Sequence, residues 1–214
     1  MHKTDRLDEL QHIRGLMERS TRFLSLSGLS GVIAGSVGLA GALIAQRYVK
    51  EHRLVSDGYG TASPSDHLEH IWWLGGLAIA VLVIALAGAA WFTARRGRRT
   101  GQGLWDPSAR RLLINLSIPL ATGGIFCMAL IRYGMPALVA PATLIFYGLA
   151  LLNASKYTLD EIRWLAISEL VLGLLASFWI GAGLLFWALG FGVLHIFYGA
   201  LMYMRHERPA AQVR

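Results

Sequence analysis

Six long apolar runs constrain this chain more than any other feature, at about 23–46, 71–93, 112–131, 136–152, 163–180 and 184–204. A helix of ~20 apolar residues crosses the hydrocarbon core of a bilayer. In lipid, backbone N–H and C=O groups must bond within the segment, so such runs are helices. Together they use well over half of the 214 residues. No remaining stretch is long enough for a separate soluble domain. The sequence therefore predicts an all-α membrane protein with six transmembrane helices arranged as three hairpins (23–204). An amphipathic cytoplasmic helix precedes them (1–22) and a cytoplasmic tail follows (205–214).

The leading segment carries Leu7, Leu10, Ile13 and Met17 at three- and four-residue spacing, with charges mostly on other faces. It reads either as a helix lying on the membrane surface or as a docking helix for a partner or second copy. The first apolar run is long for a signal peptide and lacks a cleavage pattern, so it is expected to remain as an anchor.

Only 15% of residues are charged, against ~25% in a soluble domain. The net charge of +7 suggests nucleic acid until its distribution is considered. Of the 20 Lys and Arg residues, all but Arg47, Lys50, Arg53 and Arg132 fall in segments on one side. Basic residues mark cytoplasmic loops. Both termini are therefore expected on the cytoplasmic side of the membrane. The stretch "ARRGRRTGQGLWDPSARR" is expected to meet anionic lipid headgroups, and no nucleic acid partner is expected. The tryptophans fall mostly near run ends, as interfacial belts do.

Helix starts are signalled at Ser63-Pro64, at Asp106-Pro107 and by a Thr158/Glu161 capping box. Tight turns are expected at 132–135 and 181–183. The strings "LIFYGLAL" (144–151) and "HIFYGALM" (195–202) resemble each other, and Ser117 and Ser168 match at the same offset. Related hairpins or chance likeness between apolar helices both account for this. In the first run, Gly28, Gly31, Gly35, Gly38 and Gly41 keep close to one helix face. Small residues there let backbones approach closely in lipid. The seam is expected to close on the fourth span, the sixth span or another subunit.

Polar groups within spans are functional candidates. Glu169 lies ~10 Å and His195 ~13 Å from the cytoplasmic end of adjacent helices, at 1.5 Å per residue. The two are expected to meet. The pair reads as interhelical hydrogen bonding, a proton relay, a substrate contact or part of a metal site. A metal needs three or four ligands, so no metal is expected. Cys127, the single cysteine, reads as a small buried apolar residue rather than a reactive thiol. Asn115, Ser117 and Thr122 line one side of the third span. With Asn153, Ser155, Lys156, Tyr157, Glu161 and Arg163, Asn115 and Ser117 suggest a polar cluster at the cytoplasmic mouth, for a headgroup or anionic ligand or for interfacial anchoring. No phosphate loop, nucleophile elbow or zinc motif occurs, and no cofactor is expected.

The blocks "IRGLMERSTRFLSLSGLSG", "GQGLWDPSARRLLINLSIPLATGGIFC", "APATLIFYGLALLNASKYT" and "GLLFWALGFGVLHIFYGALMY" carry a resemblance. The chain resembles a family of small bacterial multi-pass membrane proteins, of the kind common in Bacteroidota, over nearly its whole length except 47–69. That resemblance implies a membrane bundle and no established activity. Some members bear a carotene-oxygenase label. That chemistry needs an iron held by several histidines, and here only His195 lies inside a span.

The sequence thus reads as an integral membrane protein with a binding, sensing or accessory role and no recognisable catalytic site. It is expected to act as a homo-oligomer or with a partner membrane or cytoplasmic protein. The alternative is a small transporter or channel using Glu169 and His195, and the third reading is an intramembrane metal-dependent enzyme.

Overall fold

The computed structural model describes residues 26–52, 64–100 and 107–207, the side chains of 64–68 and 99–100 excepted. The amphipathic helix expected over 1–22 lies outside these residues, as do 23–25, 53–63, 101–106 and the tail beyond 207. Every regular element among the described residues is helical.

Five segments are long and apolar enough to cross a membrane. Four of these spans lie in α1 (Gly28–Glu51), α2 (Pro64–Thr100), α3 (Pro107–Arg132) and α4 (Val139–Ala154), the last extended at both ends by a 3-10 turn. The fifth is continuous over Gly183–His206. It consists of α6 (Gly183–Trp187), a π-helical segment (Ala188–Leu194) and α7 (His195–His206). Between α4 and this last segment runs α5 (Asp160–Phe178), of 19 residues. It is set apart by Asp160, Glu161, Arg163 and Glu169 along an otherwise apolar helix.

Local chemistry explains most boundaries. Pro64 and Pro107 open α2 and α3 at the first helical position, where a missing N–H is no loss. The turn after α3 passes through Gly134 at φ 72°, and the turn after α5 through Gly181 at φ 103°. Both are left-handed conformations that favour glycine. One start differs from expectation. The N-cap of α5 is Leu159, not Thr158. The Glu161 carboxylate is drawn across to Arg205 and His206 instead, each 3.2 Å away on α7.

Neighbours in sequence are neighbours in space for α1 with α2 and for α3 with α4. The third expected hairpin is looser. The principal neighbour of α5 is α4, while the last segment seats itself mainly on α1. The α4–α5 contact is close because small residues face each other. A Cβ on Gly148 would stand 2.9 Å from the Leu170 nitrogen, and one on Gly173 would stand 2.9 Å from the Ile145 nitrogen. Ala150, Ala166 and Leu144 are wholly buried there. By contrast, α2 and α3 expose long apolar faces, including Ile79, Val83, Leu86, Ile118, Ile125 and Met128. For a helix whose solvent is lipid, such a face is the ordinary outcome.

The glycine seam closes within the chain. Gly28 and Gly31 meet Gly199, Gly35 meets Gly192 and Ile196, and Gly38 meets Phe191, so four of the five lie on the last segment. Gly41 instead meets Val81 of α2. Neither the fourth span nor a second subunit is needed to cover the seam.

Candidate functional site

On α5 the buried residues Ile162, Leu165, Ala166, Glu169, Gly173 and Ala176 recur at helical spacing. Glu169 therefore sits in the middle of an apolar stripe turned into the bundle. Its exposure is 0%. His195, 7% exposed, opens α7 immediately after the π-helical segment. The sequence expectation that these two meet is met in space, with His195 Nδ1 3.3 Å from Glu169 Oε1.

The hydrogen bonding is more specific than a simple ion pair. His195 Nδ1 lies 2.9 Å from the carbonyl oxygen of Gly190. A carbonyl only accepts, so Nδ1 carries the proton and donates it there. His195 Nε2 lies 2.7 Å from the Tyr147 hydroxyl on α4. Both ring nitrogens are thus satisfied without Glu169. Neither carboxyl oxygen of Glu169 has a hydrogen-bond partner among the described residues. The carboxyl lies against Gly190, where a Cβ would collide with Oε2 and stand 2.5 Å from Leu144 Cδ2. Only glycine admits the carboxyl so close to the backbone.

Aromatic rings enclose the histidine. Phe191 stacks on it at 5.9 Å between centroids, and Tyr147 lies 4.9 Å from Phe191. A second link stands one turn away, where Ser168 and Tyr198 approach to 3.3 Å. Tyr147 and Tyr198 occupy the same place in the two IFYG strings. Each hydroxyl reaches across to another helix, and the following glycine, Gly148 or Gly199, makes a close backbone contact. The repeat was the available signal for Tyr147, which the polar-residue reading passed over.

The cluster proposed from Asn115, Ser117, Asn153, Lys156, Tyr157 and Arg163 assembles only in part. Asn153 Nδ2 donates to the Asn115 carbonyl at 3.1 Å, tying α4 to α3. Lys156 reaches Asn153 Oδ1 at 3.5 Å. Ser117 is exposed and bonds back to the Leu113 carbonyl of its own helix, as Asn115 does to Arg111. Arg163 is exposed, and neither it nor Tyr157 joins the others. Ser117, Tyr157 and Arg163 therefore drop out of a shared site. In a helix interior a short polar side chain bonds readily to a carbonyl of the preceding turn, as Ser117 and Asn115 do.

The same end of the bundle holds a network of which the sequence signalled only Glu161. Glu207, just past α7, accepts from the Gly28 backbone N–H at the start of α1 and from Ser27 Oγ at 3.2 Å. Arg96 near the end of α2 pairs with it at 3.1 Å. A carboxylate at a helix N-terminus answers the unpaired N–H groups there. Glu161, ahead of the apolar part of α5, forms the second half. Burial opposes its ionisation, but its own backbone N–H, His206 and Arg205 outweigh that and hold its pKa below the ordinary 4.5. A lowered folded pKa gives stability that is present above the unfolded value and lost as pH falls through the folded one. Glu161→Gln is therefore expected to lower the thermal midpoint at neutral pH, with the difference from wild type closing in acid. Arg205 is 62% exposed, so solvent screening keeps the effect under about 1 kcal/mol. Melting curves in detergent across pH would check both the size and the sign.

At the opposite end, Tyr48 stacks on Trp73 at 3.8 Å and reaches His70 Nδ1 at 2.8 Å. No group of three or more metal-ligating side chains occurs among the described residues. Cys127 is buried. No family model matches the chain, and neither a curated protein nor a solved structure does.

Proposed function

We propose that the chain is a six-span protein of the bacterial cytoplasmic membrane, with both termini inside and a sensing role centred on Glu169, His195 and Tyr147. In this reading α5 is the sixth span, its charged residues either turned inward or held at the polar end. The basic end meets anionic headgroups, and the protein works with a second copy or another membrane or cytoplasmic protein. The resemblance to small bacterial multi-pass proteins belongs to the same proposal.

The observation that carries it is the carboxyl of Glu169, wholly buried and without a hydrogen bond. A group held that way lowers stability, because an unsatisfied buried polar group costs about 1–3 kcal/mol. A functional role is a reason for a fold to keep it. Stability measurements separate the two. His195 keeps both its other partners when Glu169 is replaced, so Glu169→Gln is expected to leave thermal stability unchanged or raised. A clear loss would make Glu169 interhelical glue and sink the proposal.

The depth of the pair between helices also favours a second reading, a small proton-coupled transporter. Proteoliposomes with an internal pH dye distinguish them. Flux that disappears in Glu169→Gln would select the transporter, and flux equal to empty vesicles the sensor.

A further inference from the structure

We propose that Glu169 binds an exchangeable proton whose presence sets the winding of the π-helical segment, and through it the seat of the last span on α1. This deepens the reading of Glu169 and His195 as the working centre and rests on it.

His195 Nδ1 faces two acceptors. The Gly190 carbonyl is at 2.9 Å with hydrogen-bond geometry, and Glu169 Oε1 is at 3.3 Å without it. A carboxylate accepts more strongly than a carbonyl. In the proposed protonated state the carboxyl beside that N–H is neutral, and the carbonyl keeps the donor. The ring is then neutral too, with Tyr147 donating its hydroxyl proton to Nε2. When Glu169 releases one proton to water, the carboxylate formed draws Nδ1–H away from Gly190. One N–H changes acceptor, one proton leaves and no electrons move.

The carbonyl that loses its partner lies inside the π-helical segment Ala188–Leu194. Such segments are rare single-turn insertions in α-helices and are frequent at functional sites. The ring of His195, reaching back five residues to Gly190, is a side-chain support for that wider turn. Without it, the segment is free to tighten to α winding. Phe191 and Gly192 belong to the segment, and they are the residues that meet Gly38 and Gly35 of α1. A change of winding there moves the contact with α1 directly. The other titratable groups facing the pair are Tyr147 from α4 and, one turn along α7, Tyr198, which faces Ser168. The seam face of α1 brings glycines and no ionisable side chain.

The test uses the full chain reconstituted in lipid, titrated from acid to alkaline buffer. Infrared difference spectra read the carboxylic-acid C=O stretch, and amide hydrogen exchange, corrected for intrinsic pH dependence, reads 188–195. A carboxylic-acid band that is absent from Glu169→Gln is expected to vanish with rising pH. Exchange over 188–195 is expected to change by about two- to tenfold with the same midpoint, the size that one hydrogen bond gives. Glu169→Gln is expected to hold the acid-state exchange level at every pH. A band that titrates while exchange stays flat overturns the coupling and leaves the centre standing. Absence of any band due to Glu169, together with lost stability in Glu169→Gln, overturns both. The wild-type titration decides the coupling even where the variant does not fold.

Discussion

Gly35→Leu is expected to abolish the folded monomer, whatever its effect on any assembly. A Cβ at Gly35 would stand 2.6 Å from the Gly192 carbonyl oxygen and 2.8 Å from the Ile196 nitrogen. Both are backbone atoms, so no side chain can swing aside. The two helices must part, and the contacts from Gly28 to Gly38 part with them. Overpacking a well-fitted contact costs about 1–3 kcal/mol, and more when backbones must move. Leucine adds three further carbons to that first collision. Gly76→Leu is the matched control, because nothing lies within 4 Å of its Cβ position. It is expected to fold normally, and a slight gain is reasonable since leucine favours helix over glycine. Size exclusion in detergent with thermal melting would read both. If Gly35→Leu gives a stable monomer and loses only an oligomer, the seam is an interface between copies and the assignment to the last span is wrong.

His195→Ala is expected to destabilise the protein by about 3 kcal/mol or more, far beyond any effect of Glu169→Gln, because it opens a cavity and orphans a buried hydroxyl. The asymmetry follows from who satisfies whom. Removing Glu169 orphans nothing, because the ring keeps Gly190 and Tyr147. Removing the ring takes the partner from Tyr147 Oη, exposes the carboxyl of Glu169 to an empty space and opens a cavity beside Phe191. The double variant His195→Ala, Glu169→Gln should recover part of the loss, since it removes the acid that the ring accompanied. Equal losses in the two single variants, measured as a double-mutant cycle of melting midpoints, would show that the pair acts as an ordinary salt bridge.

Much of this architecture was readable from hydropathy, because a bilayer leaves few choices of structure. The meeting of Glu169 and His195 was also readable, from residue rise along two adjacent helices. What they do after meeting was not. The ring turns its Nδ1–H to a backbone carbonyl in a π-helical segment, and no periodicity announces an i to i+5 turn within "ALGFGVL". Tyr147 comes from α4, a helix outside the expected hairpin, and its role depends on how tightly Gly148 and Gly173 bring α4 onto α5. The polar-mouth cluster came together only in part, through Asn115, Asn153 and Lys156. Spacing along a helix does not decide which face packing covers, and Ser117 and Arg163 are exposed. Glu207 was invisible because its partners, Ser27, Gly28 and Arg96, are remote in the chain and converge only once the bundle closes.

That convergence has a consequence for how the protein is made. The helix α1 keeps its glycine face for a partner synthesised about 160 residues later, counting from Gly35 to Gly192 and Ile196. Until then α1 has α2 beside it through Gly41 and Val81 and little else. The Gly28 N–H at its start likewise awaits Glu207. A chain that stops before the last span therefore leaves the seam of α1 open and the Gly28 N–H without its carboxylate. The last segment supplies the surface that covers α1, and Glu207 just past it supplies the carboxylate at its start.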